Sequence, residues 1–315
     1  MTPEIARVVR GPDRWAVTQA DALEFVRGLD PDTVDLLLTS PPYETSRTYS
    51  LGRSLPSGQE WVDWMVEFVR AAAPAVRGLI AVVCEGQTRQ YRYSCTPFLL
   101  VADLHRAGFN LRKPPVYQRV GIPGSGGPDW LRNDWESIVC VTRPGRLPWS
   151  DNVACGRPPK YRQGGECSHR TKDGRRVTQL RREIGRRSAS GERGKGRYVC
   201  PAVANPGNVI RCVAAGGHMG HKLCHENEAP FALSLAEFFV RSFCPPGGLV
   251  IDPFAGSSST GHAALVHGRR YIGCDLRQSQ VELSRRRIAD VLATLEAAHA
   301  PQPTPPAEGR PGDDG

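Results

Sequence analysis

Long apolar runs are missing from this 315-residue chain. Nothing in it approaches the roughly 20 consecutive apolar residues that a membrane-spanning helix needs, so no such span is expected. The opening MTPEIARVVRGPDRW has no apolar core of the secretory kind, so no export signal is expected and the cytoplasm is the expected compartment. Paired cysteines are missing as well. The ten cysteines never form a Cys-x-x-Cys, and they are scattered singly along the chain, which fits reduced thiols better than a disulfide framework. Cys155, Cys167, His169 and Cys200, followed by His218, His221, Cys224 and His225, match no finger spacing, so no metal site is expected. Internal repeats are absent too. The remainder, 40% hydrophobic and 23% charged, is ordinary globular composition and enough for a sizeable core.

Charge is what the chain has in excess. The net charge is +9, and residues 144–224 alone carry 17 Lys and Arg against 5 Asp and Glu, a balance of +12 that leaves −3 for the rest. A basic block of this kind suits an anionic polymer such as nucleic acid. The same block is rich in Gly, Arg and Ser and poor in apolar runs (GRRVTQLRREIGRRSASGERGKGR), so a loop-rich module inserted into a larger domain is expected. From about residue 299 the sequence PQPTPPAEGRPGDDG reads as a disordered tail.

Outside that block the pattern alternates. Continuous apolar runs at Val34–Thr39, Leu79–Cys84, Ser137–Thr142, Leu249–Ile251 and Tyr271–Cys274 read as buried parallel strands. Between them, EWVDWMVEFVRAAA puts Trp61, Trp64, Met65, Phe68 and Val69 on one helical face. Thr96–Ala107 begins Thr-Pro, the signature of an N-cap and first helical residue. Pro230–Phe243, His262–His267 and Gln278–Ala298 are further helices. Strands alternating with helices imply an α/β fold with a mostly parallel sheet.

Two strand ends carry chemistry. The run VDLLLT stops abruptly at Ser40-Pro41-Pro42-Tyr43, because proline cannot donate to a sheet ladder and restricts the residue before it. The stretch GGLVIDPFAGSSSTGHAAL ends a strand at Asp252 and opens a helix near Ser259 or Thr260 through a loop of small residues, a place where a ligand can approach backbone. About 20 residues on, the next strand ends in Asp275, placed to accept hydrogen bonds from ribose hydroxyls.

Together these motifs resemble those of amino-methylating DNA methyltransferases. Asp252-Pro253-Phe254-Ala255-Gly256-Ser257 is similar to that family's S-adenosyl-L-methionine motif, and Ser40-Pro41-Pro42-Tyr43 to its catalytic motif. The order, catalytic motif first and cofactor motif last, resembles the circularly permuted beta class. The resemblance covers residues 17–143 and 225–290. It implies a Rossmann-like methyltransferase fold with a catalytic half (1–143), a basic recognition insert (144–224) and a cofactor half (225–298). It also implies cofactor contacts from Asp21, Thr39, the six residues 252–257, Asp275, His225 and Phe231. One position departs: the family usually has glycine where this chain has Ser258, which sets an expectation of lower cofactor affinity.

The implied reaction moves a methyl group to the exocyclic amine of a flipped base in double-stranded DNA. Ser40 Oγ and the Pro41 carbonyl would accept the amine protons, and Tyr43 would offer a stacking face. No Pro-Cys dipeptide occurs, which argues against 5-methylcytosine chemistry. Serine at the first motif position favours N4 of cytosine, with N6 of adenine the alternative. RNA or protein methylation and a non-catalytic DNA-binding scaffold are the remoter readings. Arg175, Arg176, Arg181, Arg182, Arg186 and Arg187 are the candidate DNA contacts. A separate restriction endonuclease and association with the nucleoid are the further expectations.

Overall fold

The computed structural model describes residues 2–44, 56–121, 124, 126–159, 166–180, 202–213 and 219–299. In chain order the elements are α1 (Pro3–Arg10), β1 (Trp15–Gln19), α2 (Ala22–Arg27), β2 (Val34–Thr39), α3 (Gln59–Ala72), β3 (Val76–Cys84), β4 (Thr88–Arg89), β5 (Arg92–Tyr93), α4 (Thr96–Arg106), β6 (Asn110–Leu111), β7 (Val116–Val120) and β8 (Trp135–Thr142). They continue with β9 (Glu166–Arg170), β10 (Arg176–Leu180), β11 (Val209–Val213), α5 (Leu233–Phe243), β12 (Leu249–Asp252), α6 (Ser259–Val266), β13 (Arg270–Asp275) and α7 (Gln278–His299). Among the described residues, nine strands form one sheet in the order β1-β13-β12-β2-β3-β8-β7-β11, with β6 beside β8.

The five strands from β1 to β3 run parallel. All six residues of β2 are buried: four are apolar, as a central strand favours, and the Asp35 carboxylate is satisfied by Arg77 and the Leu249 amide. Alternate side chains go to opposite faces. Leu37, Ile80 and Val82 join Trp61, Met65 and Phe68 of α3 and Leu100 of α4 in one cluster. Leu36, Leu38 and Val250 join Leu235 and Phe239 of α5 and Ala263 and Ala264 of α6 in the other. The result is a three-layer α/β/α arrangement around a mostly parallel sheet.

Several expectations change. Ser137–Thr142 is a buried strand, but it pairs antiparallel with both β3 and β7, because continuous apolar sequence reports burial on two faces and not direction. The N-cap of α4 is Cys95, at φ +60°, so Thr96 is already helical and its hydroxyl donates to Glu44 at 3.0 Å. Helix α5 begins at Leu233, three residues later than its sequence suggests. Within 144–224, Val209–Val213 pairs parallel with β7 and extends the main sheet, while β9 and β10 form a separate hairpin. The tail beyond residue 299 and four of the candidate arginines (181, 182, 186 and 187) lie outside the described residues. Among the described residues no helix is long and apolar enough to cross a membrane.

The topology collects chemistry on one edge. Asp252, Asp275, Thr39 and Cys84 are the last residues of parallel strands, and Trp135 is the first of an antiparallel one, so the loops after β2, β3, β12 and β13 and the start of β8 meet. Open α/β sheets bind ligands at this edge.

Candidate active site

Residues 40–44, which follow β2, are held in place for identifiable reasons. Trp61 Nε1 donates to the Pro42 carbonyl at 2.9 Å, tying the loop to α3. Glu44, buried, accepts from the Gly58 and Gln87 amides at 2.8 and 3.2 Å and from the Ser94 hydroxyl, which fastens the same loop to the segment after β3. Among the described residues no donor reaches the Pro41 carbonyl. The hydroxyls form a directed chain: Ser40 Oγ donates to Tyr43 Oη at 3.2 Å, and Tyr43 Oη donates to Glu136 at 2.7 Å. Glu136 is held in turn by Arg119 at 3.0 Å. Burial, and then the charge of Glu136, push the Tyr43 phenol well above its ordinary pKa, so it stays a neutral donor. With the Ser40 proton directed at Tyr43, the lone pairs of Oγ remain for another donor.

The facing wall comes from the other end of the chain. Thr39 Oγ1 donates to Asp252 at 2.6 Å, joining β2 to β12, and the Phe254 amide donates to the same carboxyl at 3.1 Å. Asp275 closes the loop by accepting from the Gly256 amide at 3.1 Å and the Arg277 amide at 3.0 Å. Gly256 sits at φ +50°, where a Cβ would stand 2.6 Å from the end of the Asn227 side chain, so glycine is favoured here. Phe254 is clamped edge-on by Trp64, with ring centroids 5.7 Å apart. The fully buried Arg287 holds the loop from behind, donating to the Ser257 carbonyl and the Ser259 hydroxyl, both at 3.1 Å. Ser258 does adopt the left-handed conformation that glycine favours, at φ +55°, but its hydroxyl is buried against Tyr271 (3.1 Å) and Ser284 (2.8 Å), away from the cavity.

Between the walls lies a cavity of about 440 Å³. Of the residues singled out by sequence, Ser40, Pro41, Pro42, Tyr43, Asp21, Pro253, Phe254, Gly256, Asp275 and Phe231 line it. Thr39, Asp252, Ala255 and Ser257 are buried behind it and support the lining. His225 is exposed in a short 3-10 turn and does not line the cavity. Arg175 and Arg176 are exposed at the separate β9–β10 hairpin. Among the described residues no cluster of His, Cys, Asp and Glu is arranged to hold a metal ion.

Glu85, Arg119, Glu136 and Asn227 are among the cavity residues that sequence reading missed. Glu85 was within reach, since it follows the last residue of β3 as an acid at a strand end, like Asp275. Glu136 and Arg119 carry no local signal, because their meaning comes from pairing across β7 and β8. Glu85 accepts from Tyr93 Oη at 2.8 Å, while its buried Oε2 has no hydrogen-bond partner among the described residues. Burial raises its pKa above the ordinary glutamate value.

Asp252 makes a testable contribution to stability. Burial pushes its pKa from 3.8 up to about 6, against the lowering effect of the Thr39 and Thr260 hydroxyls and the Phe254 amide. The folded chain therefore holds this proton more tightly than the unfolded one. Stability declines as pH rises from about 4 to about 6, by about 3 kcal/mol at most. Asp252→Asn keeps an oxygen for Thr39 and Phe254. It should melt higher than the parent protein at pH 7.5, with the gap closing toward pH 4; an offset that stays constant across pH would show that the carboxyl charge is not responsible.

Comparison with known proteins places these features in context. The family profile described as DNA methylase matches residues 34–286. The orphan methyltransferase M.BamHII of Bacillus amyloliquefaciens is 24% identical over 273 residues, covering 82% of this chain and 90% of that one. The type II methyltransferase M.PvuII of Proteus hauseri is 22% identical over 299 residues, 86% of this chain and 82% of that one. The solved structure of PvuII DNA methyltransferase, described as cytosine-N4-specific, superposes with a TM-score of 0.61 at 18% identity, over 90% of this chain and 93% of that one. A Thermus thermophilus protein complexed with S-adenosyl-L-methionine superposes at 0.52 with 21% identity, over 87% and 93% of the two chains.

Proposed function

From a chain that belongs to the DNA methylase family of N6- and N4-methylating enzymes, we infer a methyltransferase that uses S-adenosyl-L-methionine and modifies N4 of a cytosine flipped out of duplex DNA. The observation that carries this reading is the Ser40–Tyr43–Glu136–Arg119 chain in the same cavity as Asp275 and Gly256. The cavity fits the cofactor. Its volume suits a nucleoside-sized ligand, Asp275 offers acceptors to ribose hydroxyls, and Phe254, Trp64 and Phe231 supply apolar walls. Bound there, the cofactor supplies an electrophilic methyl group on a sulfonium.

The protein's part is to make a poor nucleophile attack. The lone pair of an exocyclic amine is delocalised into the ring, and acceptors on its protons localise it and stabilise the charge that develops. Ser40 Oγ is oriented as such an acceptor, and the Pro41 carbonyl is a second. The Tyr43 ring gives the base a stacking face, and the fixed loop holds the amine in line. Glu85, whose buried Oε2 has no hydrogen-bond partner among the described residues and whose pKa is raised, takes the proton that the methylated amine must lose. Serine at position 40, where an adenine enzyme more often has aspartate, favours cytosine, and the cytosine-N4 description of the PvuII neighbour agrees.

Duplex DNA from an unmodified host, incubated with labelled cofactor and digested to nucleosides, should yield N4-methylcytosine by mass spectrometry. N6-methyladenine would redirect the base assignment, and label entering transcripts or peptides in place of duplex would sink the reading. The role of Glu85 predicts an acid limb. Turnover should fall as pH drops through a value above the ordinary glutamate range, because the ionised carboxylate is the form that accepts the proton. Glu85→Gln should lower kcat by about 100-fold and remove that limb. A limb that persists in the variant would assign it elsewhere.

A further inference from the structure

Among the exposed large apolar side chains of the described residues, one group is aromatic and paired, and the reaction does not use it. The hairpin of β4 and β5 turns through Gln90 and Tyr91, both at positive φ (+47° and +63°). Two-residue hairpin turns of this kind normally use Asn-Gly, and a bulky aromatic in the left-handed region is a strained choice that usually marks function. Tyr91 is 73% exposed, and its ring meets Trp130 edge-on with centroids 5.7 Å apart. Leu131 beside it is 90% exposed.

The pair belongs to two segments that line the cavity. The hairpin continues from Glu85, Gly86 and Gln87, and Trp130 lies three residues before Asn133, all of them cavity-lining. Its base is fixed: the Ser94 amide donates to the Gln87 carbonyl at 2.9 Å, Tyr93 donates to Glu85, and Glu44 joins both to the catalytic loop. Trp130 is seated as well, since a Cβ at Gly127 would come within 2.3 Å of its ring. Cations flank the aromatics. Arg89 and Arg92 bracket the turn, both exposed, and Arg92 has no ion-pair partner among the described residues. Exposed aromatic faces between guanidinium groups are complementary to stacked bases between phosphates.

We propose that Tyr91 and Trp130 form a wedge that enters the duplex beside the target nucleotide and takes over the stacking lost when its base enters the cavity. Arg89 and Arg92 hold the adjoining phosphates. The inference rests on the duplex base-flipping reading above and adds the surface that offsets the cost of flipping. Unstacking a base is costly, and one aromatic ring on a base face returns a comparable share of that cost.

The test uses the full chain and a short duplex containing the site mapped by sequencing the modified DNA, in two forms: fully paired, and mismatched opposite the target base. Tyr91→Ala/Trp130→Ala should lower kcat/KM at least tenfold on the paired duplex and less than threefold on the mismatched one, where flipping is already easy. Tyr91→Trp should keep activity on both. Arg92→Ala should lower the slope of log affinity against log salt by about 0.9. Melting temperature and cofactor affinity should match the parent. Equal loss on the two duplexes, or none on either, would overturn the wedge. So would a change in sedimentation of the variant in the absence of DNA, which would make the patch a self-association surface. If the parent protein methylates no duplex, the underlying reading fails instead, and the two failures are distinguishable.

Discussion

Ser40→Ala should reduce methyl transfer by 100-fold or more, on the order found when one positioned hydrogen-bonding group is removed from a polar active site. Cofactor affinity should stay within about twofold of the parent, because Ser40 belongs to the acceptor wall and the loop keeps its Trp61 and Glu44 anchors. The hydroxyl chain adds a sharper expectation. Tyr43→Phe removes the group that receives the Ser40 proton and should cost about tenfold while leaving a stacking ring in place. Tyr43→Ala, which removes the ring too, should approach the Ser40→Ala loss. On a Ser40→Ala background, Tyr43→Phe should cost little more, since the residues act as one unit. Single-turnover rates with saturating cofactor, alongside calorimetric cofactor binding, would decide the matter. Parallel loss of cofactor affinity in these variants would assign the loop a structural role.

Asp275→Ala should give the opposite pattern. It removes the acceptor expected for ribose hydroxyls and releases the Gly256 and Arg277 amides that shape the loop. Hydrogen bonds to a charged group are worth about 1.5–3 kcal/mol each, so cofactor affinity should fall by about 100-fold. At saturating cofactor kcat should recover to within a few-fold of the parent. Asp275→Asn, which retains one oxygen, should fall between the two. If kcat dropped while cofactor affinity held, the carboxylate would have to be moved to the acceptor side of the site.

What was legible in the sequence followed strand composition. VDLLLT, LIAVVC and LVID announce buried strands because only apolar side chains suit both faces of a covered sheet. Residues at strand ends were legible for the same reason: Ser40 just after β2, Asp252 at the end of β12 and Asp275 at the end of β13. Edge and short elements were harder: α1, α2, β1, β7 and β11 are brief or mixed in character, and β11 lies within a stretch whose composition reads as loop. Direction was not legible for β8. Side-chain partnerships across strands were invisible too, so the Glu136–Arg119 pair opposite Tyr43 emerged only from the register that sets Tyr117 against Glu136. Ser258 shows both sides of this. Its departure from glycine was visible, but the hydroxyl's burial against Tyr271 and Ser284 was not.

The order in which the two walls are made has a further consequence. Strand β2 has β3 on one side and β12 on the other, and the Thr39–Asp252 contact spans 213 residues. At about 5–20 residues per second, a nascent chain carries Thr39 for about 10–40 s before Asp252 exists. For that interval one edge of a strand that carries Val34, Leu36, Leu37 and Leu38 lacks the β12 neighbour it has in the folded chain. During biosynthesis, then, an edge open to aggregation belongs to the strand that leads into Ser40.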